Sequence, residues 1–515
     1  MAPDPADILP ILTEGDPRLA AVAAPVRFPD EALPGVLRRL HATLADFRER
    51  AGFGRAMAAP QVGIGLRIIA MQLGATPFAL INPRITRVSA DRVALWDDCL
   101  SVPDRLVRVS RHRSIDLVYH DEAGRERHWR ELPLALAELV QHEIDHLDGI
   151  LMSARAHGPD AVRPIRERAS LVEAARPAHR LSLTRIAAAA ADIPPPFRDS
   201  PQYVCEPLAE ALGCRLTLKL ECLNPIRSFK ARGASVLLAD LARAGERGPI
   251  VCASAGNWGQ AVAWAGRALG LPVTVFASHA ANPLKVARMR ALGAEVRHAG
   301  ADFDAAKDAA KAWAAAGGAR MIEDGREPQT AEGHGSIAVE MLGRGEAFDA
   351  VLVPLGNGAL LAGIARWFKA ASPATRVIGV CAQGAPAMAL SWQAGHPVST
   401  ASADTIADGI AVRVPVPEAL ADLDGLVDEI MQVSDADIIA AMRLAFAHAG
   451  LVLEPSGAVG LAGVLALRER LAGQSVATVL CGSNLAPADE ALLLQAPADR
   501  DAPPGSPGQA ASRLG

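Results

Sequence analysis

Residues 249–270 read PIVCASAGNWGQAVAWAGRALG: a short apolar run, a glycine- and asparagine-containing turn, and an alanine-rich stretch. β-Branched residues favour strands and alanine favours helices, so the segment predicts a strand followed by a helix. The same order recurs on both sides of it, in TLKLE (217–221) before SFKARGASVLLADLARAG (228–245), PVTVFAS (272–278) before NPLKVARMRALG (282–293), and VLVPL (351–355) before GNGALLAGIARWFKA (356–370). Repeated strand–helix units predict an α/β domain with a mostly parallel sheet covered by helices on both faces. We place this domain at residues 181–496.

Residues 1–172 carry a different pattern. Three runs rich in β-branched and aromatic residues predict strands: LRIIAMQL (66–73), FALINPRI (78–85) and SIDLVYH (114–120). From Leu132 onward apolar residues recur three and four apart, which predicts a helix. Strands first and then a helix is an α+β order. The stretch 155–180, rich in Arg, Ala and Pro, predicts a terminal helix and then a linker at 173–180, and the segment 497–515 is predicted to be disordered.

Composition excludes several classes of function. The 515 residues carry a net charge of −5, so a nucleic acid or an anionic membrane is not expected as the main partner. The seven cysteines include no CxxC pair, which fits a reducing compartment. The first ten residues contain two aspartates and no basic residue before an apolar stretch, unlike a signal peptide, and no apolar run reaches the ~18 residues that span a bilayer. We therefore expect a cytoplasmic protein.

The sharpest motif is QHEIDHLDG at 141–149. His142 and His146 are four residues apart, so both imidazoles leave one face of a helix and can bind one metal ion, with Glu143 placed to take a proton from metal-bound water. A catalytic metal needs a third protein ligand and an open position. Upstream, WDDCLSVP (96–103) contains Cys99, although a lone buried cysteine is usually a small apolar filler. The bare HExxH pentapeptide also fits a solvated helix that happens to carry two histidines.

Together with this motif, GRAMAAPQVG (54–63) and DDCLSVP (97–103) occur in an order and spacing that resemble the peptide deformylases, over roughly residues 8–155. The resemblance implies an Fe²⁺ or Zn²⁺ ion held by Cys99, His142 and His146, with Glu143 as general base. It further implies that the side chain of Gln61 and the backbone N–H of Leu100 hold the developing oxyanion. The chain departs from the family pattern at four positions: Ala56, Met57, Asp97 and Asp98. These departures leave open whether the substrate is a formyl-peptide or a small N-formyl compound.

Five segments of the second domain carry a lysine or a tight turn: LECLNPIRSFKARGA (220–234), SAGNWGQAVA (254–263), PLGNGALLAGIA (354–365), LEPSGAVG (453–460) and VLCGSN (479–484). A lone lysine at a helix start, such as Lys230, is usually solvated, and any strand–helix protein needs glycine turns. Taken in this order, the five segments resemble the fold-type II pyridoxal-phosphate (PLP) enzymes of the threonine/serine dehydratase group, over roughly residues 180–490. EGHGSIAVE (332–340) and TIADGIAV (405–412) add to the resemblance.

This second resemblance implies two open, mostly parallel sheets with helices on both faces, and a homo-oligomer formed through the PLP domain. It implies Lys230 as the Schiff-base lysine, Asn257 at the 3′-oxygen of PLP and Cys481 at the pyridine nitrogen. The implied binding residues are, for the substrate carboxylate, Ser254, Ala255, Gly256 and Asn257, and, for the phosphate, Gly356, Asn357, Gly358 and Ala359. Departures are Asn357 and Ala359 in a loop that is usually four glycines, and Trp258 where histidine is common.

The sequence thus predicts a bifunctional enzyme: a metal-dependent deformylase fused to a PLP-dependent ammonia-lyase that acts by β-elimination on a hydroxy amino acid or a similar β-substituted one. Elimination is favoured over racemisation because Ala255 stands where serine racemases carry a proton-transferring serine. Two alternatives stay open: the N-terminal half is only a binding or assembly module, or it is an ordinary peptide deformylase with an uncoupled partner. A further hypothesis couples the two sites, because removal of an N-formyl group frees the α-amine that PLP chemistry requires.

Overall fold

The structure, a computed structural model, describes residues 5–51, 54–73, 77–132, 134–168, 171, 179–254, 256–486 and 490–494. The predicted disordered tail at 497–515, most of the predicted linker and Ala255 therefore lie outside the described residues. Among the described residues, no helix combines the length and the apolar character needed to cross a membrane.

The helices and strands of the N-terminal half are α1 Leu33–Ala51, β1 Ala56–Ala58, β2 Ile68–Met71, β3 Phe78–Val88, β4 Arg92–Cys99, β5 Val102–His112, β6 Ile115–His120, β7 Glu126–Trp129, α2 Leu134–Leu147 and β8 Val162–Pro164. They form one antiparallel sheet in the order β1-β2-β3-β6-β7 and a second in the order β4-β5-β8. The apolar face of α2 packs with the first sheet around Leu80, Leu117 and Val140. Helix α2, which carries the HExxH motif, is thus held against the first sheet.

Three predictions for this half need correction. The strands-first order is wrong, because α1 precedes the strands. Strands β4 and β5 were missed, since charged residues interrupt their apolar alternation. The stretch 155–172 is not simply a terminal helix: Val162–Pro164 pair with β5 as an edge strand.

The elements of the C-terminal half are α3 Leu183–Ala188, β9 Gln202–Val204, α4 Glu206–Leu212, β10 Arg215–Leu220, α5 Lys230–Arg243, β11 Ile250–Ala253, α6 Asn257–Leu269, β12 Val273–Ala277, α7 Pro283–Ala291, β13 Glu295–His298, α8 Phe303–Gly317, β14 Arg320–Met321, α9 Pro328–Gly343, β15 Ala350–Pro354, α10 Ala359–Ala371, β16 Arg376–Ala382, α11 Ala387–Ala394, α12 Pro417–Ala421, β17 Glu429–Val433, α13 Asp435–Ala449, α14 Pro455–Ala466, β18 Ser475–Leu480 and α15 Ala491–Leu494. They build a sheet in the order β13-β12-β11-β14, parallel throughout, and a sheet in the order β17-β16-β15-β18-β10-β9, in which only β9 is antiparallel. The predicted α/β architecture of two mostly parallel sheets is confirmed.

Both faces of these sheets are buried, as strand–helix units require. In β15, Ala350 and Leu352 point into one hydrophobic cluster, whereas Val351 and Val353 point into another on the opposite face. In β11, Ile250 and Val251 likewise belong to different clusters. The alternation with period two thus delivers side chains to helices on each side, and the turns at the carboxyl ends of the strands are left to form a site.

Candidate active sites

The N-terminal half brings Cys99, His142 and His146 together. Helix α2 places the two histidines one turn apart, and Cys99 is the last residue of β4. One ligand atom from each residue lies within 4.8 Å of the others, and all three side chains are buried. A thiolate and two imidazoles are a donor set that fits Zn²⁺ or Fe²⁺. The residues present therefore fit a catalytic metal ion.

Neighbouring side chains orient these three residues. The Sγ of Cys99 lies 3.2 Å from Nε2 of His146. Asp97 Oδ2 lies 2.9 Å from Nδ1 of His142 and 3.0 Å from Arg111. Burial alone would raise the pKa of Asp97, but His142 and Arg111 lower it to about 2. Because Asp97 is ionised, Nδ1 of His142 is the hydrogen-bond donor and Nε2 keeps its lone pair for a metal.

Glu143 is buried beside the metal ligands. Its Oε2 has no hydrogen-bond partner among the described residues, and burial raises the pKa of Glu143 to about 7. A carboxylate in that range can both accept and return a proton near neutral pH. Gln61 Oε1 accepts a hydrogen bond from the backbone N–H of Ala58 at 2.8 Å, which aims Nε2 towards Sγ of Cys99 at 3.7 Å. Leu100 directly follows Cys99, so both predicted oxyanion donors belong to residues at the ligand cluster.

Asp98, one of the departures from the family pattern, does not contact the ligands. Its carboxylate pairs with Arg168 at 2.6 Å. Asp97 and Asp98 therefore have separate roles: Asp97 hydrogen-bonds to His142, and Asp98 forms an ion pair with Arg168.

In the C-terminal half, a cavity of about 860 Å³ is lined by most of the residues predicted to bind PLP. Helix α5 begins at Lys230, as predicted, and α6 and α10 begin at the two glycine-containing turns. The predicted residues that line the cavity are Lys230, Ser254, Gly256, Asn257, Gly356, Asn357, Gly358 and Cys481. Ala359 follows as the first, buried residue of α10.

The turn before α10 is shaped for an anion. Gly358 has φ +107°, a left-handed conformation that side chains resist, and it caps a 13-residue helix. The backbone N–H groups of a helix N-terminus and its dipole favour a phosphate. The turn therefore suits the phosphate of PLP, although Asn357 and Ala359 replace two glycines of the usual loop.

Cys481 and Asn257 are held at the other side of the cavity. The thiol of Cys481 donates to the carbonyl of Ser456 at 3.4 Å, and burial raises the pKa of that thiol, so it stays neutral. Asn257 Nδ2 donates to Glu454 at 2.6 Å, while its Oδ1 accepts from Asn484 at 2.7 Å. One amide hydrogen of Asn257 remains for a ligand.

The predicted carboxylate-binding turn is partly engaged by the protein itself. The backbone N–H groups of Gly256 and Gly259 donate to Ser254 Oγ at 3.0 and 2.8 Å. The hydroxyl of Ser254 therefore fixes the conformation of the turn at the start of α6.

Sequence reasoning missed two acidic residues of this cavity. Glu454 lies within the quoted LEPSGAVG stretch, so that motif contained it without revealing its contact with Asn257. Asp324 lies in none of the quoted motifs, yet its carboxylate forms an ion pair with Nζ of Lys230. Only the folded chain brings together two residues that are 94 positions apart.

Comparisons with known proteins agree with the family resemblance of each half. Residues 193–482 match the family model described as pyridoxal-phosphate dependent enzyme, and residues 8–161 match that of polypeptide deformylase. The chain is 33% identical over 289 residues to threonine dehydratase 2 of Solanum lycopersicum, covering 56% of this chain and 49% of that protein. It is 34% identical over 278 residues to the L-threonine ammonia-lyase of Thermotoga maritima, covering 54% of this chain and 69% of that protein. The chain spans about half the length of the first of these relatives.

Solved structures match the C-terminal half as well. The processed form of threonine deaminase isoform 2 from Solanum lycopersicum matches with a TM-score of 0.57 at 31% identity, covering 61% of this chain and 88% of that one. Maize serine racemase matches with a TM-score of 0.58 at 26% identity, covering 61% and 97% of the two chains. With residues 193–482, more than half of its length, matching the family model, the chain belongs to the pyridoxal-phosphate dependent enzymes, and it carries a polypeptide deformylase domain at residues 8–161.

Proposed function

We propose that the C-terminal half is an ammonia-lyase that removes the β-substituent, such as a hydroxyl, of a small amino acid. The observation that carries this proposal is a single cavity lined by Lys230, the glycine turn before α10 and Cys481. When bound, PLP supplies an electron sink for the carbon that loses its proton. The chain is similar to threonine dehydratase 2 of Solanum lycopersicum and to the L-threonine ammonia-lyase of Thermotoga maritima, so a small β-hydroxy amino acid is the corresponding expectation for its substrate.

The residues of the cavity divide the work. Lys230 moves the proton at Cα of the substrate, and the turn at Ser254–Asn257 binds the substrate carboxylate. The turn before α10 holds the phosphate. A neutral thiol at Cys481 places no positive charge on the pyridine nitrogen, which suits a short-lived carbanion that expels a leaving group.

Elimination rather than racemisation is the outcome we propose. Threonine deaminases and serine racemases both match the fold, so the architecture alone does not separate the two reactions. A racemase needs an acid–base group on each face of the substrate, and Ala255 cannot supply the second one.

For the N-terminal half we propose metal-dependent hydrolysis of an N-formyl group. The cluster of Cys99, His142 and His146 beside a buried Glu143 supports it, because a mere binding module needs no general base. Glu143 takes a proton from the attacking water and returns it to the leaving nitrogen, while Gln61 and the Leu100 N–H bind the oxygen that gains charge.

One set of assays tests both halves. The purified protein is incubated with L-serine or L-threonine while 2-oxo acid and ammonia are measured, and with formyl-methionyl peptides or small N-formyl amino acids while formate is measured. We expect 2-oxo acid from the first set and formate from the second. Conversion of L-serine mainly to D-serine would contradict the lyase assignment, and full formate release by Glu143→Ala would contradict the hydrolase mechanism. An N-formyl β-hydroxy amino acid that yields both products would support coupling of the two sites.

A further inference from the structure

The carboxylate of Asp324 forms an ion pair with Nζ of Lys230 inside the cavity. Asp324 follows β14, and only 9% of its side chain is exposed. One oxygen, Oδ2, faces Lys230, whereas the other, Oδ1, has no hydrogen-bond partner among the described residues although it is buried. A buried carboxylate oxygen without a partner is costly, and here it lies in the wall of a substrate-sized cavity. Oδ1 is thus placed to accept a hydrogen bond from a bound ligand.

The backbone of Asp324 is held by Asn357, which stands in the turn before α10 at a position where the family usually has glycine. The side-chain amide of Asn357 donates to the backbone carbonyl of Asp324 at 2.8 Å. Gly325, with φ +89°, packs against Asn357, where an added Cβ would meet Cγ at 3.3 Å. On the other side, Arg180 donates to the carbonyls of Gly325 and Arg326. Asparagine at position 357, where the family usually has glycine, therefore helps to fix the position of Asp324.

The charges around Asp324 keep it ionised. Burial by itself would raise its pKa, but the neighbouring Lys230 ammonium and the hydrogen bonds that the carboxylate accepts lower it. His334, on α9, packs edge-on against Phe229 with ring centroids 4.6 Å apart, and burial lowers the pKa of its imidazole to about 3, so it is neutral. Lys230 is therefore the cation that Asp324 pairs with.

We propose that Asp324 is a catalytic residue of the elimination: Oδ2 holds Nζ of Lys230, and Oδ1 accepts a hydrogen bond from the β-hydroxyl of the substrate. This inference rests on the lyase function proposed above and names a residue and a substrate group for it.

When the substrate amine replaces Nζ on the cofactor, Lys230 is released as a neutral amine. This amine takes the proton of Cα, and the electron pair of the Cα–H bond becomes the second bond between Cα and Cβ. The Cβ–O bond breaks with its electron pair on oxygen. Nζ gives this proton to the carboxylate of Asp324, and the carboxyl group, turned so that its O–H faces the substrate, donates it to that oxygen, which leaves as water. Lys230 is then again a neutral amine and Asp324 again a carboxylate.

Asp324→Asn in the PLP-loaded enzyme tests the proposal, because it removes the charge and keeps the size and the Asn357 contact. With L-serine as substrate we expect kcat to fall by about 10²-fold or more, since a proton no longer reaches the leaving hydroxyl. With β-chloro-L-alanine, whose chloride leaves without a proton, we expect a much smaller loss. Asp304→Asn is the matched control: its carboxylate lines the same cavity but pairs with Arg413 at 2.7 Å, and both rates should stay near wild type.

A spectroscopic readout accompanies the kinetics. The absorption of the bound cofactor is titrated with pH, and its midpoint should fall in Asp324→Asn because the positive charge at Lys230 loses its neighbouring anion. Asn357→Gly is the second variant: it removes the amide that holds the carbonyl of Asp324 and should slow serine elimination by about 10-fold, again with less effect on the chloride.

Equal losses with L-serine and β-chloro-L-alanine, or an unchanged serine rate in Asp324→Asn, would overturn the proposal. An unchanged titration midpoint would also count against the Lys230–Asp324 pair. A wild-type enzyme that releases no 2-oxo acid from either amino acid would instead refute the lyase function itself, so the two failures are distinguishable.

Discussion

Replacing Asp97 with asparagine tests how the metal site of the N-terminal half is oriented. Asp97 is 6% exposed and accepts from Nδ1 of His142 at 2.9 Å, while Arg111 donates to the same oxygen at 3.0 Å. The substitution keeps the shape of the side chain but removes its negative charge. His142 then loses the partner that fixes its tautomer and makes Nε2 a stronger ligand.

The expected size of the effect follows from this position behind a ligand. Loss of such a partner typically weakens metal binding by about 10- to 100-fold, which corresponds to about 1.4–2.7 kcal/mol. Folding should be affected less than by loss of a lone buried pair, because Arg111 keeps its ion pair with Asp145. We therefore expect a folded protein with an intact ligand set and a higher Kd for Zn²⁺.

The assay is a competition titration of Zn²⁺ between the protein and a chromophoric chelator at fixed pH. Asp98→Asn is the matched control, since it removes the adjacent carboxylate, which pairs with Arg168 and touches no ligand. Its Kd should remain close to that of the wild type. If Asp97→Asn binds Zn²⁺ as tightly as the wild type, or if Asp98→Asn loses as much affinity, the orienting role of Asp97 is refuted.

Three further predictions concern single residues. Lys230→Ala should lose the visible absorption of the bound cofactor and all elimination activity; retained turnover would exclude it as the Schiff-base lysine. Cys99→Ala should lose the metal, measured by elemental analysis, whereas Glu143→Ala should keep the metal and lose formate release, because ligands hold the ion and the base only moves a proton. Arg232→Met should destabilise the protein at pH 7 by about 3–5 kcal/mol, because it removes the buried cation that pairs with Glu221, whose side chain is 1% exposed, and with Glu340. The pKa of Glu340 is about 2, below its ordinary 4.5, because Arg232 outweighs burial. The stabilisation is therefore present above pH 4.5 and is lost as the pH falls towards 2. The difference in Tm between wild type and variant should narrow over that window and not widen.

Much of the C-terminal half could be predicted because local and global signals agree there. Strands such as β11 and β15 are short, apolar on both faces and followed by a turn and an alanine-rich helix, so composition, period and turn chemistry all indicate the same unit. Residues such as Gly358 mark turns whose backbone conformation excludes most side chains. The residues predicted for PLP then converge because turns at the carboxyl ends of parallel strands share one edge of a sheet.

The N-terminal half was harder to predict because β4 and β5 lack a clear strand pattern, although β2, β3 and β6 were predicted. β4 and β5 carry charged residues such as Arg92, Asp98 and Arg105 among their apolar positions, and this hides the alternation with period two. α1 was missed although it buries Leu37, Leu40 and Leu44 against the first sheet. His142 and His146 were predicted as metal ligands from the HExxH spacing and Cys99 from the resemblance to the peptide deformylases, whereas the contact between Asp97 and His142 joins residues 45 positions apart and needed the fold.

Asp324 shows most clearly what local sequence cannot reveal, and it also lies where the two halves meet. Two residues after it, Arg326 forms an ion pair with Glu131 of the N-terminal half at 2.6 Å. Beyond this pair, His396 packs against Phe78 with ring centroids 3.9 Å apart, and burial lowers the pKa of His396 to about 4, so a neutral ring makes this contact. The same short segment is thus bound by Asn357 on the cavity side and by Glu131 on the other. The N-terminal half therefore contacts the segment that carries Asp324, a contact that no single motif of the sequence contains.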